Sequence, residues 1–355
     1  MWLILEWVLP QDLVAQPNLS KTQFPTNYIA NVQHFSTEEG LSHWNAHALY
    51  QDDLGFIWIG TNYGLNRFDG HDFKVFSKEQ DSLASNEVHQ ILEDAEGWLW
   101  IFKLRKPRLL KRIIEVSFVN IYTLEVQSVE ERFGKNSMLD TEILFSSLRS
   151  PSKTIFLGTE NGKIIQFRPE TGFTKIDTDQ NGPITLRHFT DESHLLYTVS
   201  NRDDLRTEQF IEIDTLGRVK WSHPTLGFST GPIDTETQWF WRPEIKTTAS
   251  PMKLSFLSPK GQIEHFPDFK RPRDIQFMTL ITGRLQYRNS DDTFWYINRN
   301  NLWVFHPKRG LVYDFSITYP QIVGNTINQL FFDNRDNVWL STENGVYKMQ
   351  LALEG

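Results

Sequence analysis

Six side chains of this 355-residue chain have the chemistry to hold a polar ligand without transforming it: Trp44, Tyr63, Arg202, Trp241, Arg242 and Arg299. A flat ring stacks on the face of a sugar, and a guanidinium grips a carboxylate or sulfate through two parallel hydrogen bonds. Catalytic sets are harder to assemble. Asp203, Asp204, Glu160 and Glu244 could supply the two carboxylates of a glycosidase, yet no motif pairs them as acid and base. The chain has no cysteine, which excludes disulfides, thiolate metal sites and a thiolate nucleophile. It has no phosphate-binding glycine loop, nucleophile elbow or dinucleotide fingerprint. No catalytic residue, metal or cofactor is therefore expected.

The elements that must position these side chains are read from a motif that returns. EGLSHWNAHALYQDDLGFIWIGTNYGLNRFDG occupies residues 39–70, SLASNEVHQILEDAEGWLWIF residues 82–102 and GNTINQLFFDNRDNVWLSTENGVYKM residues 324–349. Leu41/Leu83, Asp52/Asp94, Gly55/Gly97 and Trp58/Trp100 all keep one offset of 42 residues. A repeat of this length, built of strands and turns, is the signature of a β-propeller with one four-stranded blade per repeat. In the first copy residues 47–52, 56–61, 64–69 and 73–76 read as the four strands, with Gly55 and Gly64 at tight turns. Apolar side chains at Ile57, Trp58 and Ile59 point to both faces, as a sheet sandwiched between neighbours requires.

Weaker copies fill the middle. KTIFLGTENGKIIQF (residues 153–167) puts Phe156 in the Trp58 position and Gly162 in that of Gly64. Residues 198–221, 239–266 and 291–305 are read as three further blades, making seven, with Asn301 in place of the glycine in the last of them. The final blade runs out after its third strand at residues 345–350, while residues 31–36 form an unclaimed strand ahead of the first motif. The expectation is an all-β, seven-bladed propeller over residues 28–351, its last blade closed by that N-terminal strand. Closure removes the strand edges of an open sheet.

Composition narrows the partners. A net charge of −8 argues against a general nucleic-acid binder. Residues 1–16 read as an imperfect secretion signal, with a short apolar run interrupted by Glu6 and Leu13-Val14-Ala15 as a cleavage site. No segment is long and apolar enough to cross a bilayer as a helix, so direct membrane insertion is not expected. Asp52-Asp53-Leu54-Gly55, Asp94-Ala95-Glu96-Gly97 and residues 333–337 lack the spaced ligands of a calcium loop. They read as turns in which Asp caps backbone amides, and they are similar to the Asp-box turn of sialidases. Of the ten histidines, His47 and His89 fall at equivalent repeat positions on inner strands, which favours a structural role over a metal site.

Residues 40–76 closely, and residues 82–102 and 325–349 well, resemble the two-component regulator propeller repeat, whose pattern runs GLS-N-V-I-D-GxLWIGT-GGLNRFDG-F. The resemblance is weak across blades three to six. It implies the periplasmic sensor region of a hybrid two-component system, found mainly in Bacteroidetes, in which propellers precede a membrane span and a histidine kinase. Such receptors typically detect oligosaccharides. This chain carries one propeller's worth of that plan.

In a propeller the inter-blade loops and the turns between second and third strands share one face around the central channel. Here that face is expected to gather His43-Trp44-Asn45, Asn62-Tyr63, Ser85-Asn86, the basic insertion at residues 103–115, and Arg202, Arg242 and Arg299. The function read from this is a non-catalytic sensor binding an oligosaccharide, with acidic ones among the candidates. A propeller glycoside hydrolase or lyase is one alternative. The other is a protein–protein platform docking a second propeller or a membrane-bound histidine kinase half. Trp44 and Trp241 have a competing role as packing residues between blades.

Overall fold

The turn Asp52-Asp53-Leu54-Gly55 folds back because Gly55 sits at φ +90 and Asp52 Oδ1 accepts from Phe56 N at 2.9 Å. It joins strand β2 (Ala46–Gln51) to β3 (Ile57–Thr61), which turns at Gly64 into β4 (Gly64–Phe68) and then β5 (Phe73–Phe76). All five residues of β3 are buried, because both faces of the sheet are covered. Trp58 packs toward the second repeat with Val88, Leu99 and Val119, while Ile57 and Ile59 pack toward the last repeat with Trp339 and Val346.

This computed structural model describes residues 28–105, 112–189, 193–200, 208–214, 216–224 and 310–353, with strand segments between 229 and 306. Among the described residues there are seven four-stranded antiparallel sheets, one per repeat. Six of them take four consecutive strands. The seventh pairs β26 (Ile327–Phe332), β27 (Val338–Thr342) and β28 (Gly345–Leu353) with the N-terminal strand β1 (Tyr28–Phe35). The ladder runs from Tyr28↔Leu353 to Phe35↔Val346, so the expected closure is present and longer than the sequence suggested. The chain is thus an all-β propeller. The first strands of the last, first, second, third and fourth sheets lie against one another in that order, which places them nearest the axis.

Three boundaries differ from the sequence reading. The fourth sheet begins at Ile184, upstream of residue 198, because its first strand Ile184–Phe189 carries no glycine or tryptophan marker. At the insertion, β7 (Trp98–Arg105) and β8 (Arg112–Asn120) stay paired out to Arg105↔Arg112, so its described residues belong to the ladder; residues 106–111 lie outside the described residues. Trp241 and Arg242 have their backbone inside β19 (Phe240–Glu244), opposite Phe256 and Ser255, and not in a loop. Apolar clusters fill the interfaces between sheets; that between the second and third joins Trp100, Phe102 and Phe118 to Leu144, Ile155 and Leu157.

Candidate ligand-binding face

Asn62 N donates to Asn45 O at 3.1 Å, and Gly64 N to Asn86 O at 2.7 Å. The turn between the second and third strands of blade one is therefore clamped between its own inter-blade loop and the next one. The same arrangement recurs at the end of the chain, where Glu343 N donates to Thr326 O at 3.0 Å and Gly345 N to Trp44 O at 2.5 Å. Within each turn a threonine supplies the internal bonds: Thr61 Oγ1 accepts from Tyr63 N and donates to Gly64 O, and Thr342 Oγ1 does so with Asn344 N and Gly345 O. Loop backbone that would otherwise seek water is satisfied in place, so this face is rigid before any ligand arrives.

Two large aromatics stand out from that frame. Trp44 and Tyr63 are each 52% exposed, although blade aromatics such as Trp58 and Trp100 are fully buried. Trp44 is therefore not a packing residue. His43 stacks on its ring at 4.9 Å, and His43 Nδ1 accepts from Asn45 N. The Asn45–Asn62 bond ties the inter-blade loop that carries Trp44 to the turn that carries Tyr63. Asn86 binds both oxygens of Glu79 through Nδ2, at 3.0 and 2.9 Å, and these bonds hold the Glu79 carboxyl below its ordinary value.

At the mouth of the channel His47 and His89 stack at 4.7 Å, with His47 Nε2 2.6 Å from Asn62 Oδ1. His47 is the extra residue of a β-bulge between Ala46 and Ala48. Asn328, the extra residue of the corresponding bulge in the last blade, donates from Nδ2 to Ala46 O at 2.7 Å. A bulge re-aims one side chain without disturbing the ladder on either side. The repeat offset showed that His47 and His89 were equivalent, but not that adjacent blades would bring their rings together. Among the described residues no group of three or more His, Asp or Glu side chains is placed to hold a metal ion.

Of the six residues singled out from the sequence, the structure places Trp44 and Tyr63 on this face. Trp241 and Arg242 are in strand β19, and Arg202 and Arg299 lie outside the described residues.

At the other end of the channel, Tyr50 donates to Glu93 Oε2 at 3.0 Å, and Lys153 reaches Glu93 Oε1 at 2.9 Å and Asp53. Glu93 is fully buried, and burial pushes its carboxyl up from the ordinary value. This cluster ties the first three blades together.

Residues 41–63 match the family model described as two component regulator propeller. That match covers the first repeat alone, and there the chain is similar to the two-component regulator propellers. Histidine kinase P4 of Formosa agariphila is 39% identical over 51 residues, which is 14% of this chain and 4% of that kinase. An extracellular domain assigned to a hybrid two component system, BT3049 of B. thetaiotaomicron, superposes with a TM-score of 0.56 at 16% identity, covering 90% of this chain and 41% of that one. Virginiamycin B lyase from Staphylococcus aureus gives a TM-score of 0.58 at 12% identity, covering 92% and 100%. At such identities both structures report the fold alone.

Proposed function

We propose that this propeller is the non-catalytic ligand-sensing part of a two-component regulatory system, exported through residues 1–16 to the periplasm, and that its clamped loop face binds an oligosaccharide. The observation that carries this reading is the pair of half-exposed aromatics, Trp44 and Tyr63, on a face whose backbone is already hydrogen-bonded. Aromatic surface left in water is unfavourable, and here it is held rigid, which lowers the ordering cost of binding. The repeat matched in blade one supports the regulatory setting, with a histidine kinase as the partner that reads the ligand. Signalling requires that the ligand bind one arrangement of the receptor better than another, since equal binding shifts nothing.

The test is a glycan array probed with the protein and with Trp44→Ala and Tyr63→Ala. Loss of a bound glycan in both variants at unchanged melting temperature supports the face, and retention in both removes it. Product analysis after incubation with each glycan hit separates a sensor from a hydrolase or lyase.

A further inference from the structure

Opposite the clamped loop face, on the side of the hairpin turns, a cleft of about 400 Å³ opens between the last blade and the first. Its blade-one wall is Gln51, the turn at Gly55 and the turn at Asp69; its last-blade wall is Asn334, Arg335 and Lys348. The two walls are tied at one end: Asn334 N donates to Gln51 Oε1 at 2.7 Å, and Gln51 Nε2 donates to Asn334 Oδ1 at 3.2 Å and to Gly55 O at 3.1 Å, so the Gln51 amide is spent on the seam itself.

The charges in it are not equivalent. Asp333, which also lines the cleft, has both oxygens spent: Oδ1 accepts from Arg335 N and Asn337 N, and Oδ2 from Asn337 Nδ2 and Trp339 Nε1. Asp69 Oδ1 accepts from His71 N and Asp72 N, which leaves Oδ2 at the rim as an acceptor. Among the described residues neither Arg335 nor Lys348 is ion-paired to a carboxylate; the Lys348 ammonium lies 5.4 Å over the Trp339 ring. Two cationic donors, the Asn334 amide and one carboxylate acceptor converge on a space the size of a small molecule.

We propose that this seam cleft binds a small polyhydroxylated carboxylate, a sugar acid of monosaccharide size. Its carboxylate meets Arg335 and Lys348, and its hydroxyls meet Asp69 and the Asn334 amide nitrogen. Because the two walls belong to the blades joined by the closing strand, the ligand bridges the seam and stabilises the closed ring. Anything that binds the folded chain and not the unfolded one raises the melting temperature.

The measurement is thermal unfolding with galacturonate, with galactose and with inorganic phosphate. Galacturonate at about a hundred times its dissociation constant is expected to raise the melting temperature by about 3 °C. Galactose is expected to do so much less, and Arg335→Ala to abolish the rise, since its side chain is exposed and its loss spares the fold. Lys348→Gln is the second variant and is expected to weaken the rise. An equal rise with galactose, or one that survives in both variants, overturns the site. An equal rise with phosphate overturns the role given to the hydroxyls. Trp44→Ala and Tyr63→Ala must leave the rise intact; if they abolish it, the ligand sits on the loop face instead.

Discussion

The indole nitrogen of Trp58 donates to Asp52 Oδ2 at 2.7 Å, six residues upstream, and both side chains are buried. The pair returns as Trp100 with Asp94 at 3.0 Å and as Trp339 with Asp333 at 2.8 Å. In each case the other carboxylate oxygen caps the turn, so one side chain fixes both the hairpin and the largest core residue of its blade. Where the aspartate is missing the bond is rebuilt or lost: Trp295 donates to Thr293 Oγ1 at 3.1 Å, and Phe156 needs no acceptor.

Removing the carboxylate strands a buried N–H. Asp52→Ala is expected to cost about 3 kcal/mol, since it unpairs the Trp58 indole and a turn amide together. Asp52→Asn keeps one acceptor and is expected to cost about half as much. Guanidinium denaturation checks this: the midpoint should fall with an unchanged slope, and an unmoved midpoint in Asp52→Ala would show the bond to be idle.

Two glycines with nearly the same backbone angle should respond very differently to a methyl group. Gly55 at φ +90 has nothing within 4 Å of an added Cβ, so Gly55→Ala carries only left-handed strain of about 1 kcal/mol. Gly345 at φ +83 would drive its Cβ into the Phe35 carbonyl and to 3.0 Å from His34 Nε2. Gly345→Ala is expected to cost about 3 kcal/mol or more, because the atoms in the way are the closing strand's own backbone. Equal melting temperatures for the two variants would contradict the seam geometry.

Legibility in the sequence followed the Asp–Trp pairs. In the first repeat, where Asp52 marks a turn and Trp58 follows six residues later, all four strands were placed to within a residue; in the last, the third strand runs three residues beyond the expected 345–350. The fourth blade has no such pair, and its Asp214 instead caps the turn before the outermost strand, accepting from Leu216 N and Arg218 N. Its start at Ile184 was accordingly missed. The loop face was legible from the propeller's geometry; the sequence left Trp44 between that face and inter-blade packing, since tryptophan fills the core at positions 58, 100 and 339. The seam cleft left no trace at all, because Gln51 and Asn334 meet only when the ring closes.

Acid should loosen the fourth blade through one imidazole. Burial on the first strand of that blade, helped by the neighbouring Arg187 charge, pulls His188 down from 6.5 to about 4. The folded state therefore prefers the neutral ring. The stability this contributes is fully present above pH 6.5 and drains away as pH falls toward about 4, because only the unfolded chain takes up the proton in that window. Over the whole window the loss attributable to His188 is about 3 kcal/mol. In His188→Gln that share should vanish, so the two proteins should converge in stability as pH is lowered from 7 to about 4. Parallel pH profiles would assign the acid sensitivity elsewhere.

The N-terminal strand carries more than its own ladder. Phe35 packs 4.9 Å from Phe68 of the first blade and 5.9 Å from Trp339 of the last, so it joins the two ends of the ring as well as pairing with Val346. A chain beginning at Thr37 loses that ring and leaves β28 (Gly345–Leu353) as an open edge, which invites pairing with a second molecule. Phe35→Ala alone is expected to cost about 2–3 kcal/mol, below the full value for a buried phenylalanine because Phe35 is only partly covered. Deleting residues 28–36 is expected to cost more and to produce dimers in sedimentation. Adding those nine residues back as a peptide should restore the monomer and the melting temperature together. If the truncated chain melts like the parent, the circle is held by its inter-blade packing and the closing strand is dispensable.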